Sequence, residues 1–180
     1  IVRSLVGSEM CIRDRNKEAA KNLNLRLIRS SSASLPPAVF KDLNEAFNCP
    51  VIEAYGMTEA THQMTSNPLP PKQQKAGFVG LPAGPEVCIM SENGDMMKQG
   101  EEGEVCIKGK HVTLGYENNE EANKTSFTNG WFRTGDQGYF DEDGYLKISG
   151  RLKEIINKGG EKISPLELSL IHISEPTRLR

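Results

Sequence analysis

The sequence predicts an α/β protein in which a βαβ unit precedes a small antiparallel β subdomain. Two observations support this prediction. Between Leu23 and Tyr55, two apolar strand-like runs flank an amphipathic helical pattern, which is typical of parallel sheets covered by helices. After Pro68, short strand-like runs alternate with Asn-Gly and Asp-Gly turns, which suit tight hairpins. The chain has 180 residues, enough for one ordinary domain or parts of two.

Three successive runs make up the predicted βαβ unit. "LNLRLIRSSSA" predicts a strand that ends in a serine loop, and "LPPAVFKDLNEAF" predicts a helix that begins near its two prolines. "CPVIEAY" predicts the second strand. Because ligands of such sheets bind beyond the carboxyl ends of the strands, the "SSSAS" and "YGMTEA" stretches are expected at a ligand site.

The predicted β subdomain consists of short strands joined by turns. "ENGD" and "DEDG" predict two of the turns, and the strands are "EVCIM", "GEVCIKG", "GYF" and "YLKISG". We expect these strands to form a barrel-like antiparallel sheet. "SGRLKEIINKGGEKISPLE" then predicts a strand-like run followed by a Gly-Gly turn.

The two ends of the chain are expected to be foreign to the protein. "LVGSEMCIRD" (Leu5 to Asp14) and "LSLIHISEPTR" (Leu168 to Arg178) are unrelated as peptides. One oligonucleotide read in opposite orientations can nevertheless encode both, as a translated transposase-type sequencing adaptor would. The alternative is a genuine amphipathic helix at either end. We therefore interpret residues 1–15 and 168–180 as adaptor-derived and leave them out of the fold prediction.

Composition excludes several classes of function. The formal net charge of -2 gives no reason to expect a nucleic acid partner. No apolar run approaches the roughly 20 residues that a membrane-spanning helix needs. The four cysteines show no metal-ligand spacing, so reduced thiols in an intracellular protein are favoured over a disulfide framework.

Four stretches, taken in order, resemble motifs of the ANL superfamily of adenylate-forming enzymes, which includes acyl-CoA synthetases and luciferases. They are "YGMTE" (Tyr55 to Glu59), "GEVCIKG" (Gly103 to Gly109), "GWFRTGD" (Gly130 to Asp136) and "GRLKEIINKGGEKISPLE" (Gly150 to Glu167). The resemblance implies an enzyme that couples a carboxylic acid to ATP and then to coenzyme A, with Mg²⁺ as cofactor. Such a site must neutralise the negative charges of the carboxylate and the triphosphate and hold the carboxylate in line for its attack on ATP.

The resemblance also implies the domain organisation. Residues 16–73 would form the end of a large βαβ-layered N-terminal domain, residues 74–148 a β subdomain of distorted-barrel type, and residues 149–167 the hinge and the start of a small C-terminal domain. The family's glycine-rich phosphate loop and its late catalytic lysine do not occur in this sequence. The chain is therefore expected to be an internal fragment that is inactive by itself.

The "YGMTE" cluster is interpreted as the phosphate and metal corner of an ATP site. The Thr58 hydroxyl can bind a phosphate oxygen, and Glu59 can hold Mg²⁺, which prefers oxygen ligands. Gly56 would let the backbone approach the nucleotide without a Cβ in the way. Tyr55 would stack on adenine. The alternatives are a helix N-cap at Thr58 and a core aromatic at Tyr55.

Further site residues are implied by matches to the family motifs. Asp136 would accept hydrogen bonds from both ribose hydroxyls, and Arg151 would reach the ribose and phosphate region. Lys153 falls at the hinge about which the C-terminal domain rotates between the half-reactions. The loop beside adenine would contain Ser32, Ala33 and Ser34, and the pantetheine tunnel would be lined by Gly159 and Gly160. The alternatives are a turn residue at Asp136, a surface charge at Arg151 and an ordinary β-turn at the two glycines.

The substrate is expected to be a small carboxylic acid. "YGMTEATHQMTSNPLPP" is similar to the oxalate–CoA ligase group, sometimes described as peroxisomal acyl-activating enzymes. His62 would then bond the second carboxylate of oxalate. The alternatives are a packed or surface histidine, a fatty-acid or hydroxycinnamate CoA ligase, and a non-catalytic nucleotide-binding fragment. We expect a peroxisomal or cytoplasmic location and no particular protein partner.

Overall fold

The βαβ unit is present in the computed structural model, which describes residues 23–154, 156–158 and 161–163. Strand β1 (Ile28–Ser30) and strand β2 (Val51–Tyr55) are parallel, with Ile28 opposite Val51. Helix α1 (Pro37–Phe47) joins them; a proline begins it, since its missing N–H would be unpaired there in any case. The predicted strand, helix and strand are confirmed, although β1 is shorter than the sequence pattern indicated.

The edge of β2 opposite β1 is covered by two short antiparallel strands that the sequence analysis did not predict. Strand β3 (Thr65–Ser66) pairs with β2, and strand β4 (Leu81–Pro82) pairs with β3. A single 3₁₀ turn, Thr58–Ala60, reverses the chain after β2, and the Met64 N–H then bonds the Tyr55 carbonyl at 2.9 Å. The first sheet is therefore mixed, in the order β1-β2-β3-β4.

The antiparallel β subdomain is also present, and its predicted hairpins are confirmed. Its strands are β5 (Glu86–Met90), β6 (Gly103–Lys108), β7 (Phe127–Thr128), β8 (Trp131–Phe140) and β9 (Leu146–Arg151). Strand β8, the longest of the five, pairs with β6 along one edge and with β7 and β9 along the other. Strand β5 extends the sheet beyond β6, and the sheet curls into a half-barrel.

Helix α2 (Glu120–Ser126) precedes β7 and was not predicted. It buries none of its residues, so its sequence has no apolar stripe to signal a helix. The side chain of Asn119 caps it by accepting a hydrogen bond from the Ala122 N–H at 3.1 Å. After β9, strands β10 (Ile156–Lys158) and β11 (Glu161–Ile163) form an antiparallel pair.

The two large sheets are joined through the start of β9. Leu146 exchanges backbone hydrogen bonds with Val79 and Gly80, each at 2.8 Å. Lys75 adds an ion pair to Asp141 at 2.5 Å, close to the same junction. The sheet junction thus brings the carboxyl end of β2 towards the β8–β9 pair. The domain boundaries implied by the resemblance remain predictions.

Tyr55, the last residue of β2, lies between two hydrophobic clusters. One cluster contains Met64, Ile107 and Phe132 among its buried members, and Tyr55 packs against its edge. The other consists of Ile89, Val105 and Leu146, and Tyr55 packs against it as well. The packing of the core therefore fixes the position of this side chain. Within the described residues, no helix is both long enough and apolar enough to cross a membrane.

Candidate functional site

Three of the predicted site residues meet where β2, β8 and β9 come together. The Tyr55 hydroxyl donates a hydrogen bond to Oδ2 of Asp136 at 2.5 Å, across 81 positions of sequence. Nε of Arg151 lies 3.4 Å from Oδ1 of the same carboxylate. Asp136 and Arg151 are opposite each other in the β8–β9 register. The structure thus places Tyr55, Asp136 and Arg151 around one carboxylate.

The protonation of Tyr55 suits its role as the donor in this cluster. Burial of the ring raises the pKa of Tyr55 well above its usual range, and the negative charge of Asp136 raises the pKa further. The phenol therefore stays protonated at neutral pH and keeps donating to Asp136. Because an ionised carboxylate offers about four acceptor positions, Asp136 retains room for hydroxyl donors from a ligand.

Asp136 lies in a distortion of β8, which we call the Asp136 bulge (Thr134 to Asp136). In the pairing of β6 with β8, Cys106 faces Arg133 and Glu104 faces Gln137, so Val105 alone faces the three bulge residues. Gly135 has a φ of +76°, which a residue with a side chain adopts only with strain. The alternative of a turn at Asp136 is therefore wrong: Asp136 is a strand residue, re-aimed by the bulge.

The side chain of Thr134 stabilises the bulge from inside. Its hydroxyl donates to the Val105 carbonyl at 2.7 Å and accepts from the Asp136 N–H at 3.1 Å. These two bonds replace ladder bonds that the bulge interrupts. The "TGD" triplet thus has a physical explanation: a hydroxyl that bridges the bulge, a glycine that allows its φ, and a carboxylate that the bulge directs.

The second group of predicted residues lies in the segment from Thr58 to His62, which we call the Thr58 turn. Thr58 is exposed and begins a 3₁₀ turn whose N-cap position is Met57, without a side-chain cap bond. The alternative of an N-cap at Thr58 is therefore wrong. Glu59 is half-buried, and its Oε1 accepts a hydrogen bond from the Tyr116 hydroxyl at 2.8 Å.

Tyr116 was not singled out by the sequence analysis. It is 57 positions away from Glu59, and no local pattern signals the contact. Burial raises the pKa of the Tyr116 hydroxyl, and the hydrogen bond to Glu59 raises it further, so the phenol remains a donor. The Thr113 N–H also bonds the Glu59 carbonyl at 2.7 Å. The segment after β6 therefore fixes the position of the one carboxylate in the Thr58 turn.

A single carboxylate suits Mg²⁺ in a nucleotide site. Within the part of the chain that the structure describes, no three His, Cys, Asp or Glu side chains cluster in a way that could hold a metal ion. Mg²⁺ in such sites is commonly bound by one or two carboxylates, with phosphates and waters supplying the remaining ligands. Glu59 fits this pattern as a protein ligand.

Gly56 is required by the protein's own backbone. A Cβ on Gly56 would lie 2.0 Å from the His62 carbonyl oxygen and 2.4 Å from its carbon. The Thr58 turn can fold back on β2 only because this side chain is absent. Close approach of a nucleotide to Gly56 remains a prediction beside this structural role.

His62 is exposed, so the alternative of a packed histidine is wrong. Its backbone has a φ of +66°, and its N–H bonds the Met57 carbonyl at 3.0 Å. The side chain therefore projects from a closed turn rather than from the surface of a helix. Its contact with a substrate carboxylate remains a prediction.

The remaining predicted residues lie in loops. The loop with Ser32, Ala33 and Ser34 is exposed and follows β1, on the edge where parallel β2 also ends. Lys153 is exposed in the turn after β9, and its neighbour Leu152 donates a backbone hydrogen bond to the Gly135 carbonyl at 2.9 Å. Gly159 and Gly160 lie outside the described residues, as do the two segments interpreted as adaptor-derived.

A family model for AMP-binding enzymes matches residues 6–117. The chain belongs to the AMP-binding enzyme family. The oxalate–CoA ligase of Arabidopsis thaliana is 57% identical over 153 residues, which cover 84% of this chain and 30% of that protein. The oxalate–CoA ligase of Saccharomyces cerevisiae is 56% identical over 155 residues, which cover 85% of this chain and 28% of that protein.

Two solved structures share the fold. The o-succinylbenzoate CoA synthetase of Bacillus subtilis, in complex with its acyl-adenylate intermediate, superimposes with a TM-score of 0.80 at 29% identity. The match covers 96% of this chain and 39% of that one. ATP-bound MatB from Rhodopseudomonas palustris gives a TM-score of 0.78 at 34% identity, over 84% of this chain and 30% of that one.

The resemblance to the adenylate-forming superfamily is thus confirmed, and so is the α/β fold class. The chain spans about 30% of the length of these two oxalate–CoA ligases.

Proposed function

We propose that the chain is part of an ATP-dependent acid–CoA ligase that forms an acyl-adenylate and then an acyl-CoA thioester, with oxalate as the acid. The observation that carries the proposal is the Asp136 carboxylate. Its side chain is only 13% exposed, yet it lies beside Tyr55 and Arg151 at the carboxyl end of β2. Parallel α/β sheets bind their ligands at that end of the strands.

Asp136 is proposed to bind the ribose of ATP. Tyr55 and Arg151 hold the carboxylate from two sides, so little freedom is lost when hydroxyl donors arrive. The guanidinium of Arg151 can also reach the phosphates, since this side chain is 69% exposed. Tyr55 and the loop of Ser32, Ala33 and Ser34 are proposed to flank adenine, because the strands that end there are parallel neighbours.

The Thr58 turn is proposed to bind the triphosphate. The exposed Thr58 hydroxyl is available to donate to a phosphate oxygen, and Glu59 offers a carboxylate to Mg²⁺. The metal would supply positive charge that offsets the repulsion between the acid and the phosphates. This chain's contribution is to hold Glu59 in place through Tyr116 and Thr113.

His62 is proposed to select oxalate. The exposed imidazole projects from the Thr58 turn, close in sequence to the proposed phosphate ligands. An imidazole can donate to the carboxylate that does not react, whereas a monocarboxylic acid offers no such acceptor. The two oxalate–CoA ligases at 56–57% identity support this choice of acid.

The second half-reaction is proposed to use coenzyme A beside Gly159 and Gly160, after rotation about Lys153. Lys153 is exposed directly after β9, and hinges are commonly residues at the ends of such elements. The enzyme is proposed to be intracellular, in peroxisomes or cytoplasm. The three cysteines among the described residues are free thiols, which suits a reducing compartment.

The test is acid-dependent ATP–pyrophosphate exchange by a full-length ligase that carries this sequence. Oxalate is expected to support exchange far better than acetate or a long-chain fatty acid, followed by thioester formation when coenzyme A is added. If none of the acids in the panel supports exchange, the adenylation proposal is contradicted. A preference for the long-chain acid would contradict only the oxalate assignment.

A further inference from the structure

Glu104 is a buried carboxylate to which the resemblance assigns no role. It is the second residue of the "GEVCIKG" stretch in β6 and is only 6% exposed. Both of its oxygens are engaged. Oε1 accepts a hydrogen bond from the Gly135 N–H at 2.9 Å, and Oε2 accepts one from Nε of Arg133 at 2.7 Å. A buried charge with a full set of partners is costly to assemble, so its presence calls for an explanation.

The Asp136 bulge explains why a carboxylate is needed there. Within the bulge, three residues of β8 face only Val105 of β6, so the regular hydrogen-bond ladder between these two strands is interrupted. The Thr134 hydroxyl accepts the N–H of Asp136, and Glu104 accepts the N–H of Gly135. Two side chains, those of Thr134 and Glu104, therefore accept hydrogen bonds from two successive N–H groups of the bulge.

Arg133 compensates the charge of Glu104. Its Nη2 lies 2.5 Å from Oε2, and its Nη1 donates to the Thr128 hydroxyl at 3.3 Å. Arg133 is thus held between Glu104 and strand β7. Both partners of the pair touch the segment that carries Asp136, since Arg133 immediately precedes the bulge and Glu104 bonds its middle residue.

We propose that Glu104 is a positioning residue for the nucleotide: by holding the Gly135 N–H, it sets the direction of the Asp136 carboxylate. The inference rests on the proposed function of Asp136 as the ribose ligand. That N–H belongs to the peptide between Thr134 and Gly135, one peptide before Asp136, so a rotation of this peptide changes the backbone angles at Gly135 and re-aims the Asp136 side chain. Small displacements of a ligand-binding group have large effects on rate and affinity.

The competing explanation is that Glu104 and Arg133 only stabilise the fold. Glu104→Ala cannot separate the two, because it leaves Arg133 unpaired and is expected to fold poorly. Two double variants separate them, both made in a full-length ligase that carries this sequence. Glu104→Gln with Arg133→Met removes both charges but keeps a carbonyl oxygen for the Gly135 N–H. Glu104→Leu with Arg133→Met removes the same charges and the acceptor as well.

The measurements are the melting temperature and the KM values for ATP and coenzyme A. Positioning predicts about a tenfold higher KM for ATP in the Leu double variant than in the Gln one, with KM for coenzyme A unchanged. The Gln double variant should stay within about twofold of the wild type in KM for ATP. Equal KM values for ATP in the two double variants would overturn the proposal. So would a Gln double variant whose KM for ATP rises above the wild-type range.

Two further variants complete the experiment. Lys75→Met breaks the ion pair with Asp141, beyond the far end of β8, and should lower the melting temperature without changing KM for ATP. A raised KM for ATP in that variant would show that the measurement reports stability, and would overturn the proposal. Asp136→Ala separates this inference from the function on which it rests. If it leaves KM for ATP unchanged, both are wrong; if it raises KM while the double variants agree, only the role of Glu104 is wrong.

Discussion

At the Asp136 bulge, side chains hold the backbone in place. The Thr134 hydroxyl and the Glu104 carboxylate satisfy its N–H groups, and Tyr55 and Arg151 hold its functional carboxylate. In the Thr58 turn the backbone holds itself. His62 and Ala60 both bond the Met57 carbonyl, while the side chains of Thr58 and His62 are exposed.

Because of this difference, substitutions in the Asp136 bulge should change stability and function together, whereas substitutions of exposed side chains in the Thr58 turn should change function alone. Side chains of the bulge have two tasks, so their replacement should affect folding and nucleotide binding together. Thr58 and His62 have exposed side chains that form no hydrogen bond or ion pair with the described residues, so their replacement should affect function alone. The stability of the turn should instead depend on Gly56, which packs against the His62 backbone. Five substitutions in a full-length ligase that carries this sequence test the comparison.

The largest effect is expected for Asp136→Ala. It removes a charged acceptor that would take two ribose hydrogen bonds, so apparent binding of ATP should weaken by about 2–5 kcal/mol. It also leaves the half-buried Tyr55 hydroxyl without its acceptor. The measurement is KM for ATP in steady-state kinetics, together with the melting temperature. An unchanged ATP dependence would remove Asp136 from the nucleotide site.

The next largest effect is expected for Gly56→Ala, which should lower the free energy of unfolding. The new Cβ would meet the His62 carbonyl at 2.0 Å, and neither group is the flexible end of a side chain. Overpacking of this kind costs about 1–3 kcal/mol, and the backbone contact places the cost at the upper end. Chemical denaturation measures it. A variant as stable as the wild type would show that the turn is not held by this contact.

Much of the fold could be predicted from the sequence because it depends on local patterns. Apolar periodicity and prolines predicted β1, α1 and β2, and the Asn-Gly and Asp-Gly turns predicted the β5–β6 and β8–β9 hairpins. Strand β7 and the first seven residues of β8 were not predicted. Strands β3 and β4 escaped prediction because two residues carry no periodicity. They exist because the Thr58 turn returns the chain beside β2.

The sequence predicted which residues belong to the candidate site, but not the backbone geometry that positions them. Matches to family motifs selected Tyr55, Asp136 and Arg151, and the structure brings them together. The bulge depends on the register between β6 and β8, which no local pattern encodes. The contact of Tyr116 with Glu59 and that of Glu104 with Gly135 escaped prediction for the same reason: each joins residues that are distant in sequence.

A smaller effect, confined to function, is expected for His62→Ala. If the imidazole bonds the second carboxylate of oxalate, its loss should lower kcat/KM for oxalate by about 10–100-fold, or about 1.4–2.8 kcal/mol. Acetate lacks that carboxylate, so its turnover should change little. The melting temperature should stay constant because the side chain is exposed. Equal losses with the two acids would assign His62 a structural role.

The smallest effects, and the sharpest comparison, come from the same substitution at two threonines. Thr134→Val and Thr58→Val each replace a hydroxyl by a methyl group of similar size. Thr134 loses two hydrogen bonds inside the bulge, so its variant should unfold more easily by about 1–2 kcal/mol and bind ATP more weakly. Thr58 is exposed, so its variant should stay within about 0.5 kcal/mol of the wild-type stability.

The two threonine variants are then compared in their dependence on ATP. Loss of one phosphate contact at Thr58 should raise KM for ATP or lower kcat by several-fold at unchanged stability, because the hydroxyl acts only when the nucleotide is present. In the Thr134 variant the loss of ATP binding should accompany the loss of stability, since the bulge holds Asp136. Denaturation and kinetics on the same preparations measure both. If Thr58→Val destabilises the protein as much as Thr134→Val does, the turn depends on its side chains after all, and the two regions are not built differently.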